Sequence, residues 1–249
     1  MKIAVITAMT EEYRAVTACF GSAQISRAGG LRTAIFHTKE HEFLVVESGM
    51  GFDNAARAAE ALMSGDCPDL LISAGFCGGI APELQTGDVV VAKKIIIANV
   101  ERFEEVPVLL SDVGRNFVAR QAGEGGRIVG GTFVSASVIT SKARLADMLS
   151  GQYPNPVVEM ESGAIAIVAA ENNIPLLAIR AVSDSADEEL GFSLEEFCDA
   201  GLRRICIHKV LLTVLRKPRI IPQLVRLSRS SRRAAQSLTA ALSRLFPTL

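Results

Sequence analysis

The sequence lacks an excess of charge of either sign. Its 249 residues include 26 basic and 27 acidic side chains, so the formal net charge is −1. This balance excludes a protein that acts mainly as a polycation on nucleic acid. Apolar residues are plentiful, since 49% of the residues are hydrophobic. This composition excludes an intrinsically disordered chain. The length suits one large α/β domain or two small ones with a full core.

The sequence also lacks paired cysteines and long apolar runs. It has five cysteines, an odd number, and none of them has CxxC spacing. We therefore expect reduced thiols, with neither a disulfide framework nor a zinc site. The apolar run at residues 1–9 is too short for a signal peptide, and no run approaches the roughly 20 residues that span a bilayer. These absences predict a soluble, cytoplasmic protein.

Several short β-branched runs predict strands that are buried on both faces. They occupy residues 2–7, 43–47, 70–73, 88–92 and 176–181. Helical composition lies between or after them, at residues 55–64, 161–172 and 193–215. This alternation predicts an α/β fold in which helices cover both sides of a sheet.

Glycines cluster where predicted strands end. Gly49 and Gly51 form one cluster, and Gly75, Gly78 and Gly79 form another directly after residues 70–73. Two interpretations stay open: a tight turn, or a loop whose free N–H groups bind a ligand at the carboxyl edge of the sheet.

Three polar segments carry the candidate chemistry. Glu159-Met160-Glu161 opens an apolar helix, where the carboxylates either cap the helix or bind a ligand hydroxyl. Arg180 and Asp184 close a strand, as a surface ion pair or as two groups that point into one crevice. Glu12 follows the first strand, either as a solvated carboxylate at a helix start or above the sheet.

Together these segments and the glycine clusters resemble the nucleoside phosphorylase/nucleosidase superfamily, and most of all the 5′-methylthioadenosine/S-adenosylhomocysteine nucleosidases. The resemblance extends from residue 1 to about residue 212. It implies a three-layer α/β/α sandwich around a twisted mixed sheet, and a homodimer. It also implies cleavage of the N-ribosidic bond of a purine nucleoside, with adenine as the base and with no metal or redox cofactor.

The resemblance implies a role for each catalytic residue. Asp184 would be the general acid that protonates N7 of the purine, with Ser183 holding it and the base. Glu12 would polarise the attacking water, and Arg180 would orient the carboxylates. These roles fit the chemistry, since positive charge develops on the ribose and negative charge on the leaving purine.

The resemblance also implies a set of substrate-binding residues. Glu161 would accept the ribose 2′-hydroxyl, Met160 would pack against the sugar, and Met50 would line the sugar end. The remaining positions are the glycine-rich segment with Phe76, Cys77 and Gly78, and the base-binding loop with Val138 and Ile139.

The sequence departs from the nucleosidase pattern at three places. Phe76 stands where a serine is usual, residues 93–102 lack the usual Tyr-His-Asp loop, and Leu194, with Phe192 close by, replaces an aromatic residue near the 5′ group. Because phosphate needs several donors, Phe76 favours hydrolysis over phosphorolysis. Two alternatives stay open. One is phosphorolysis, including that of a hopanoid-associated phosphorylase acting on an adenosylated membrane lipid. The other is an inactive nucleoside-binding or membrane-associated scaffold.

The last 34 residues differ in charge from the rest of the chain. Residues 216–249 carry eight basic side chains and no acidic one, a net of +8, whereas residues 1–215 carry a net of −9. Apolar and small residues recur in this tail at helical spacing, which predicts a basic amphipathic helix. We therefore divide the chain into a catalytic domain, 1–215, and a tail, 216–249. The tail either contacts an anionic membrane surface or a partner, packs on its own domain or a second subunit, or is disordered.

Overall fold

The computed structural model describes most of the chain. The described residues are 1–21, 24–28, 30–65, 67–99, 102–121, 127–136, 141–149, 151–188 and 221–249. The predicted helix at 193–215, the base-binding residues Val138 and Ile139, and Phe192 and Leu194 near the expected 5′ pocket lie outside these ranges.

Ten strands and six α-helices are found in the described ranges. The strands are β1 Lys2–Thr7, β2 Gln24–Ala28, β3 Leu31–His37, β4 Glu42–Glu47, β5 Leu70–Gly79, β6 Val89–Ala98, β7 Phe103–Glu105, β8 Ile128–Ala136, β9 Val157–Glu159 and β10 Leu176–Asp184. The helices are α1 Thr10–Thr17, α2 Phe52–Met63, α3 Asp112–Arg120, α4 Lys142–Leu149, α5 Ser162–Glu171 and α6 Ile221–Leu245.

The strands form one mixed sheet. Strand β1 pairs in parallel with β4 and with β5, and β3 and β2 extend this side of the sheet. On the other side, β5 pairs with β10, and the order continues through β6, β8 and β9 back to β5. The sheet is therefore open at β2. At its other end, β5, β10, β6, β8 and β9 form a closed ring, and β5 joins this ring to β1.

Helices cover both faces of the sheet, as β1 illustrates. Ile3 and Val5 belong to a core cluster that includes residues of α1, α3 and α6, whereas Ala4 and Ile6 belong to a second cluster with α2 and α5. This division follows from the alternation of side chains along a strand. The expected three-layer α/β/α arrangement around a mixed sheet is confirmed.

The glycine cluster after residues 70–73 is not a loop, so this expectation was wrong. Strand β5 continues to Gly79, and the parallel pairing with β10 includes Arg180 opposite Gly75 and Asp184 opposite Gly78. Gly75 serves close packing, because a Cβ there would meet neighbouring side chains at less than 3 Å. The first cluster does need glycine for its backbone, since φ is 93° at Gly49 and 92° at Gly51.

Helix α6 packs into the core of the domain. Its buried residues share a core cluster with β1, β5, α1 and β10, and the following Phe246 lies 5.0 Å from both Phe20 and Phe43, measured between ring centroids. Residues 221–249 therefore pack on their own domain, which is one of the alternatives given above for the tail. None of the described helices is both long enough and apolar enough to cross a bilayer. The buried residues of α6 are Ala234, Leu238, Ala241, Leu242 and Leu245.

Candidate active site

A buried arginine lies at the centre of the polar cluster. Arg180, on β10, is 2% exposed, and its Nη2 donates to Oε2 of Glu159 at 2.9 Å. The same nitrogen lies 3.1 Å from the hydroxyl of Ser73 and 3.2 Å from that of Ser162, and 3.6 Å from Oε2 of Glu161. A guanidinium withdrawn from water needs such partners, so the surface interpretation of Arg180 was wrong.

Glu12 faces Arg180 from the first turn of α1. Its carboxylate accepts N–H groups from Ala8 at 2.8 Å, Met9 at 2.9 Å and Phe76 at 2.7 Å, and the residue is 4% exposed. Burial raises the pKa of Glu12, while Arg180 and the three N–H groups act against this rise. The solvated interpretation of Glu12 was therefore wrong, and three backbone N–H groups from two segments fix its position.

Gly75 lets Glu12 and Arg180 approach each other. A Cβ at this position would lie 2.5 Å from Oε1 of Glu12 and 2.7 Å from Nη1 of Arg180. Both distances are shorter than any real Cβ contact, so only glycine fits between these two charged groups.

The two carboxyl groups of the Glu159-Met160-Glu161 segment have opposite properties. Burial acts to raise the pKa of Glu159, but Arg180, the hydroxyl of Ser135 and the N–H of Ser162 outweigh it and hold this pKa below its ordinary value. Burial raises the pKa of Glu161 to about 7, although Arg180 opposes it. Glu159 is thus a permanent partner of Arg180, whereas Glu161 is poorly compensated and suited to a ligand hydroxyl.

The neighbours of Glu161 come from the predicted sugar end. Its Oε1 accepts the N–H of Gly51 at 2.8 Å, and its Oε2 lies 3.3 Å from the N–H of Met160. Met50 directly precedes Gly51, and its carbonyl accepts a hydrogen bond from Asn54 at 2.7 Å. The structure therefore brings Glu161, Met160 and Met50 together, and both methionine residues are half-buried.

Asp184 lies further along β10, at a second end of the site. Ser183 donates its hydroxyl to Oδ1 of Asp184 at 2.6 Å, and Oδ2 forms an ion pair with Lys142 of α4. A Cβ at Gly78 would lie 3.0 Å from this Oδ2, so glycine leaves room for the pair. The hydroxyl of Ser183 is also 3.2 Å from the carbonyl oxygen of Cys77.

Phe76 and Cys77 lie on β5, between the Glu12 end and the Asp184 end of the site. The side chain of Phe76 is half-buried and packs on the core cluster of α1 and α6, while its N–H serves Glu12. Cys77 is 4% exposed, and burial raises the pKa of its thiol well above the usual value. Their backbones are the parts that reach Glu12 and Ser183.

Two functional candidates were missed in the sequence, Glu159 as the arginine's partner and Lys142 as the partner of Asp184. The sequence offers two interpretations of Glu159, as a helix cap or as a ligand-binding carboxylate, and neither includes Arg180 as its partner. Lys142 is separated from Asp184 by 42 residues, and a single lysine at the start of a helix gives no local signal. Only the folded arrangement of α4 against β10 reveals this pair.

This arrangement is suited to acid–base chemistry. One end has three carboxyl groups around one guanidinium, and the other has a carboxyl group beside an ammonium group. The first can bind hydroxyl groups and a water molecule, and the second can deliver a proton to a leaving group. Among the residues that the structure describes, no group of three or more His, Cys, Asp or Glu side chains could hold a metal ion.

Comparison with known proteins places these residues in a family. The model of the phosphorylase superfamily matches residues 2–216 of this chain. Among curated relatives, the 5′-methylthioadenosine/S-adenosylhomocysteine nucleosidase of Geobacillus kaustophilus is 29% identical over 217 residues, which cover 82% of this chain and 92% of the relative. The nucleosidase of the same name from Listeria monocytogenes is 29% identical over 233 residues, covering 86% of this chain and 100% of the relative.

Solved structures show the same fold. A Helicobacter pylori MTAN mutant with 5′-methylthioadenosine in its active site has a TM-score of 0.75 at 17% identity, covering 100% of this chain and 99% of the other. The futalosine hydrolase of Helicobacter pylori has a TM-score of 0.73 at 18% identity, covering 100% and 98%. The family match spans most of the chain and the curated relatives are named as nucleosidases, so this chain belongs to the phosphorylase superfamily and is an enzyme.

Proposed function

We propose that this enzyme hydrolyses the N-ribosidic bond of a purine nucleoside. The observation that carries the proposal is the cluster of Glu12, Glu161 and Arg180, with Asp184 four residues beyond Arg180 on the same strand. A general acid for the base and carboxylates for the sugar and water are the groups that this reaction needs.

The ribose end would act through Glu161 and Glu12. Glu161 has one oxygen that accepts the N–H of Gly51, and its carboxylate can accept the ribose 2′-hydroxyl as well. Glu12 would hold the attacking water and take its proton, and its negative charge would stabilise the positive charge that develops on the ribose ring. Its raised pKa makes it a better base than an exposed carboxylate.

The base end would act through Asp184. A purine whose bond to ribose is breaking gains negative charge, and protonation of N7 neutralises that charge. Ser183 fixes one oxygen of the Asp184 carboxyl group, which leaves the group in a defined orientation toward the base.

The charges around Arg180 favour water over phosphate as the nucleophile. Three carboxyl groups, those of Glu12, Glu159 and Glu161, surround this one guanidinium. A phosphate dianion at this end would meet several negative charges, and the arginine is already bonded to Glu159. Phe76 offers only its backbone N–H, which Glu12 uses.

The names of the curated relatives suggest the substrate. They are nucleosidases of 5′-methylthioadenosine and S-adenosylhomocysteine, so we propose an adenine nucleoside of this type. Release of free adenine from methylthioadenosine, adenosylhomocysteine and adenosine, with and without phosphate, tests this proposal. We expect turnover that phosphate does not change. Strict dependence on phosphate would support phosphorolysis instead, including that of an adenosylated lipid, and the absence of release from every nucleoside would refute the proposal.

Replacement of the general acid gives the matched test. We expect Asp184→Asn to lower kcat at least about 100-fold, since an amide cannot supply the proton. Asp187→Asn, at an exposed position three residues further on, is the control and should leave kcat unchanged. Equal activity of the two variants would contradict the role of Asp184, and turnover abolished by Asp184→Asn would exclude an inactive scaffold.

The homodimer expected from the resemblance is part of this proposal. A twofold contact would bury one patch of each copy against the same patch of the other. Size-exclusion chromatography with light scattering should give twice the 26.5 kDa mass of one chain. A mass of one chain at micromolar concentration would contradict it.

A further inference from the structure

We propose that Lys142 is the proton reservoir behind Asp184, and that its ammonium group replaces the proton that Asp184 gives to the leaving purine. This inference rests on the proposed function, since it concerns the protonation step of the same reaction. It makes Lys142 a positioning and proton-supplying residue that acts through Asp184 without touching the substrate.

The first support is the placement of the ammonium group. Lys142 opens α4 and forms an ion pair with Oδ2 of Asp184, which is the oxygen that Ser183 does not hold. The side chains are 11% and 16% exposed, so water screens this pair much less than a surface pair. Gly78 lies beside both groups, and a Cβ there would be 3.0 Å from Cε of Lys142.

The second support is the number of acceptors around Nζ. Besides Asp184, the ammonium donates to the carbonyl oxygens of Ser185 at 2.7 Å and Glu188 at 2.9 Å. An ammonium group has three N–H donors, which Oδ2 of Asp184 and these two carbonyl oxygens can accept, while the backbone oxygen of Asp184 is a longer contact at 3.4 Å. The carboxylate of Glu188 lies 3.3 Å from the N–H of Ser185, which ties the same segment together. The ammonium is therefore held at one position beside the acid.

The third support is that the general acid must be recharged in every turnover. Once Asp184 has given a proton to the purine, its carboxylate needs another, and the ion pair holds an N–H donor of Lys142 directly at its Oδ2. Among the described residues, the thiol of Cys77 on β5 lies within electrostatic reach of both groups, and the carboxylate of Glu188, itself 3.8 Å from Arg226, belongs to the segment that Lys142 holds. In the part of the chain that the structure describes, Ser183 and Lys142 both place a proton donor on the Asp184 carboxyl group, and of these two Lys142 is the cationic acid.

The proton balance of the step is complete. As the bond between ribose C1′ and purine N9 breaks, both of its electrons go to the purine. The Asp184 carboxyl group gives its proton to N7. The ammonium group of Lys142 then gives a proton to the Asp184 carboxylate, and Lys142 becomes a neutral amine. Water adds to C1′ and gives its proton to Glu12, and solvent returns that proton to Lys142 after the products leave. A purine anion is a far stronger base than a carboxylate, so a lysine ammonium matches it in strength.

A merely structural lysine would also occupy this position, and two substitutions separate the roles. Lys142→Arg keeps a positive charge and several donors, but a guanidinium gives up its proton far less readily. Lys142→Met removes both the charge and the proton. If Lys142 supplies the proton, both variants should lose about 100-fold in kcat on a purine nucleoside, with KM changed less than about threefold.

A substrate with a different leaving group provides the second readout. The 4-nitrophenyl β-riboside releases a phenolate that departs without being protonated, so both variants should cleave it within about threefold of the wild-type rate. Thermal unfolding of each variant confirms that it is folded. Full activity of Lys142→Arg on the purine nucleoside, or equal losses on both substrates, would overturn the inference. Wild-type enzyme that releases no purine from any nucleoside would refute the proposed function itself.

Discussion

Glu159 and Glu161 lie two positions apart, and the pKa values of their carboxyl groups are shifted in opposite directions. Both are buried beside Arg180, yet the pKa of Glu159 is lowered and that of Glu161 is raised to about 7. Burial raises the pKa of Glu161, and the charges of Glu159 and Glu12 add to this rise. At Glu159, Arg180, Ser135 and the N–H groups of Glu161 and Ser162 donate hydrogen bonds that act against burial, whereas Glu161 accepts chiefly from the backbone. Glu159 therefore supports Arg180, and Glu161 is the carboxyl group that is suited to a ligand.

The raised pKa of Glu161 predicts a pH-dependent gain in stability when it is replaced. A carboxyl group with a raised folded pKa contributes stability that is present below about pH 4.5 and is lost as the pH rises through about 7. Glu161→Gln does not ionise, so at pH 8 it should unfold with a free energy about 3 kcal/mol higher than wild type, and near pH 4.5 with no such gain. Urea unfolding at both pH values measures the difference. The same variant should lose at least about tenfold in kcat/KM, since activity trades against stability here.

Glu159→Gln is the matched control for that prediction. The lowered pKa of Glu159 gives stability that is present above about pH 4.5 and is lost as the pH falls through the folded value. The variant should therefore be less stable at pH 8, by about 3 kcal/mol, because it leaves Arg180 without its nearest partner. Shifts of the same sign for the two variants at pH 8 would contradict this account.

At the scale of elements, strand β5 explains what the sequence could and could not predict. The apolar run at residues 70–73 identifies a buried strand, and the structure confirms it. In the continuation to Gly79, three glycines interrupt the apolar residues, and two of them accommodate Glu12 and Asp184, which are distant in sequence. The sequence therefore predicts the strand and the importance of its glycines, while the reason for them depends on contacts between segments.

The same limit applies to elements that no pattern predicted. Helices α1, α3 and α4 have only eight or nine residues, the sequences of β2 and β3 mix polar with apolar residues, and glycines interrupt the apolar residues of β8. In α1, for example, buried Glu12 and Tyr13 interrupt any simple apolar stripe. Site residues on such elements become visible only by resemblance, as for Glu12, or in the fold, as for Lys142.

Strand β5 also carries a prediction about close packing. Gly75→Ala would place a Cβ 2.5 Å from Glu12 and 2.7 Å from Arg180, so it should separate these groups and lower kcat/KM at least about 100-fold. Gly79→Ala, in the same strand, would meet Leu84 at 3.4 Å, an ordinary contact, and should keep kcat/KM within about threefold. Nucleoside cleavage assays on both variants, with circular dichroism to confirm folding, provide the measurement. If Gly75→Ala kept wild-type activity, the packing explanation for this glycine would be refuted.

At the scale of the whole molecule, the near-zero net charge conceals two opposite parts. Residues 1–215 carry a net of −9 and residues 216–249 a net of +8. Helix α6 presents its apolar face to the core, with Leu238 and Leu242 fully buried, while most of its described arginines are exposed. Insertion of this face into a membrane would require α6 to leave the domain and expose that part of the core.

The packing of α6 predicts that its apolar residues stabilise the whole domain. Leu242 is fully buried in the cluster shared with β1, β5 and α1. Leu242→Ala should lower the free energy of unfolding by about 3 kcal/mol, because a cavity would remain between helix and sheet. This loss should lower the Tm by roughly 10 °C. Val225→Ala, on the same helix but 46% exposed, should leave the Tm within about 2 °C.

A separate early transition in Leu242→Ala, with the main transition unchanged, would show instead that the tail is an appendage. A single transition displaced as a whole would mean that the basic helix and the negatively charged domain fold as one unit, so that the active site depends on residues that the family model does not cover.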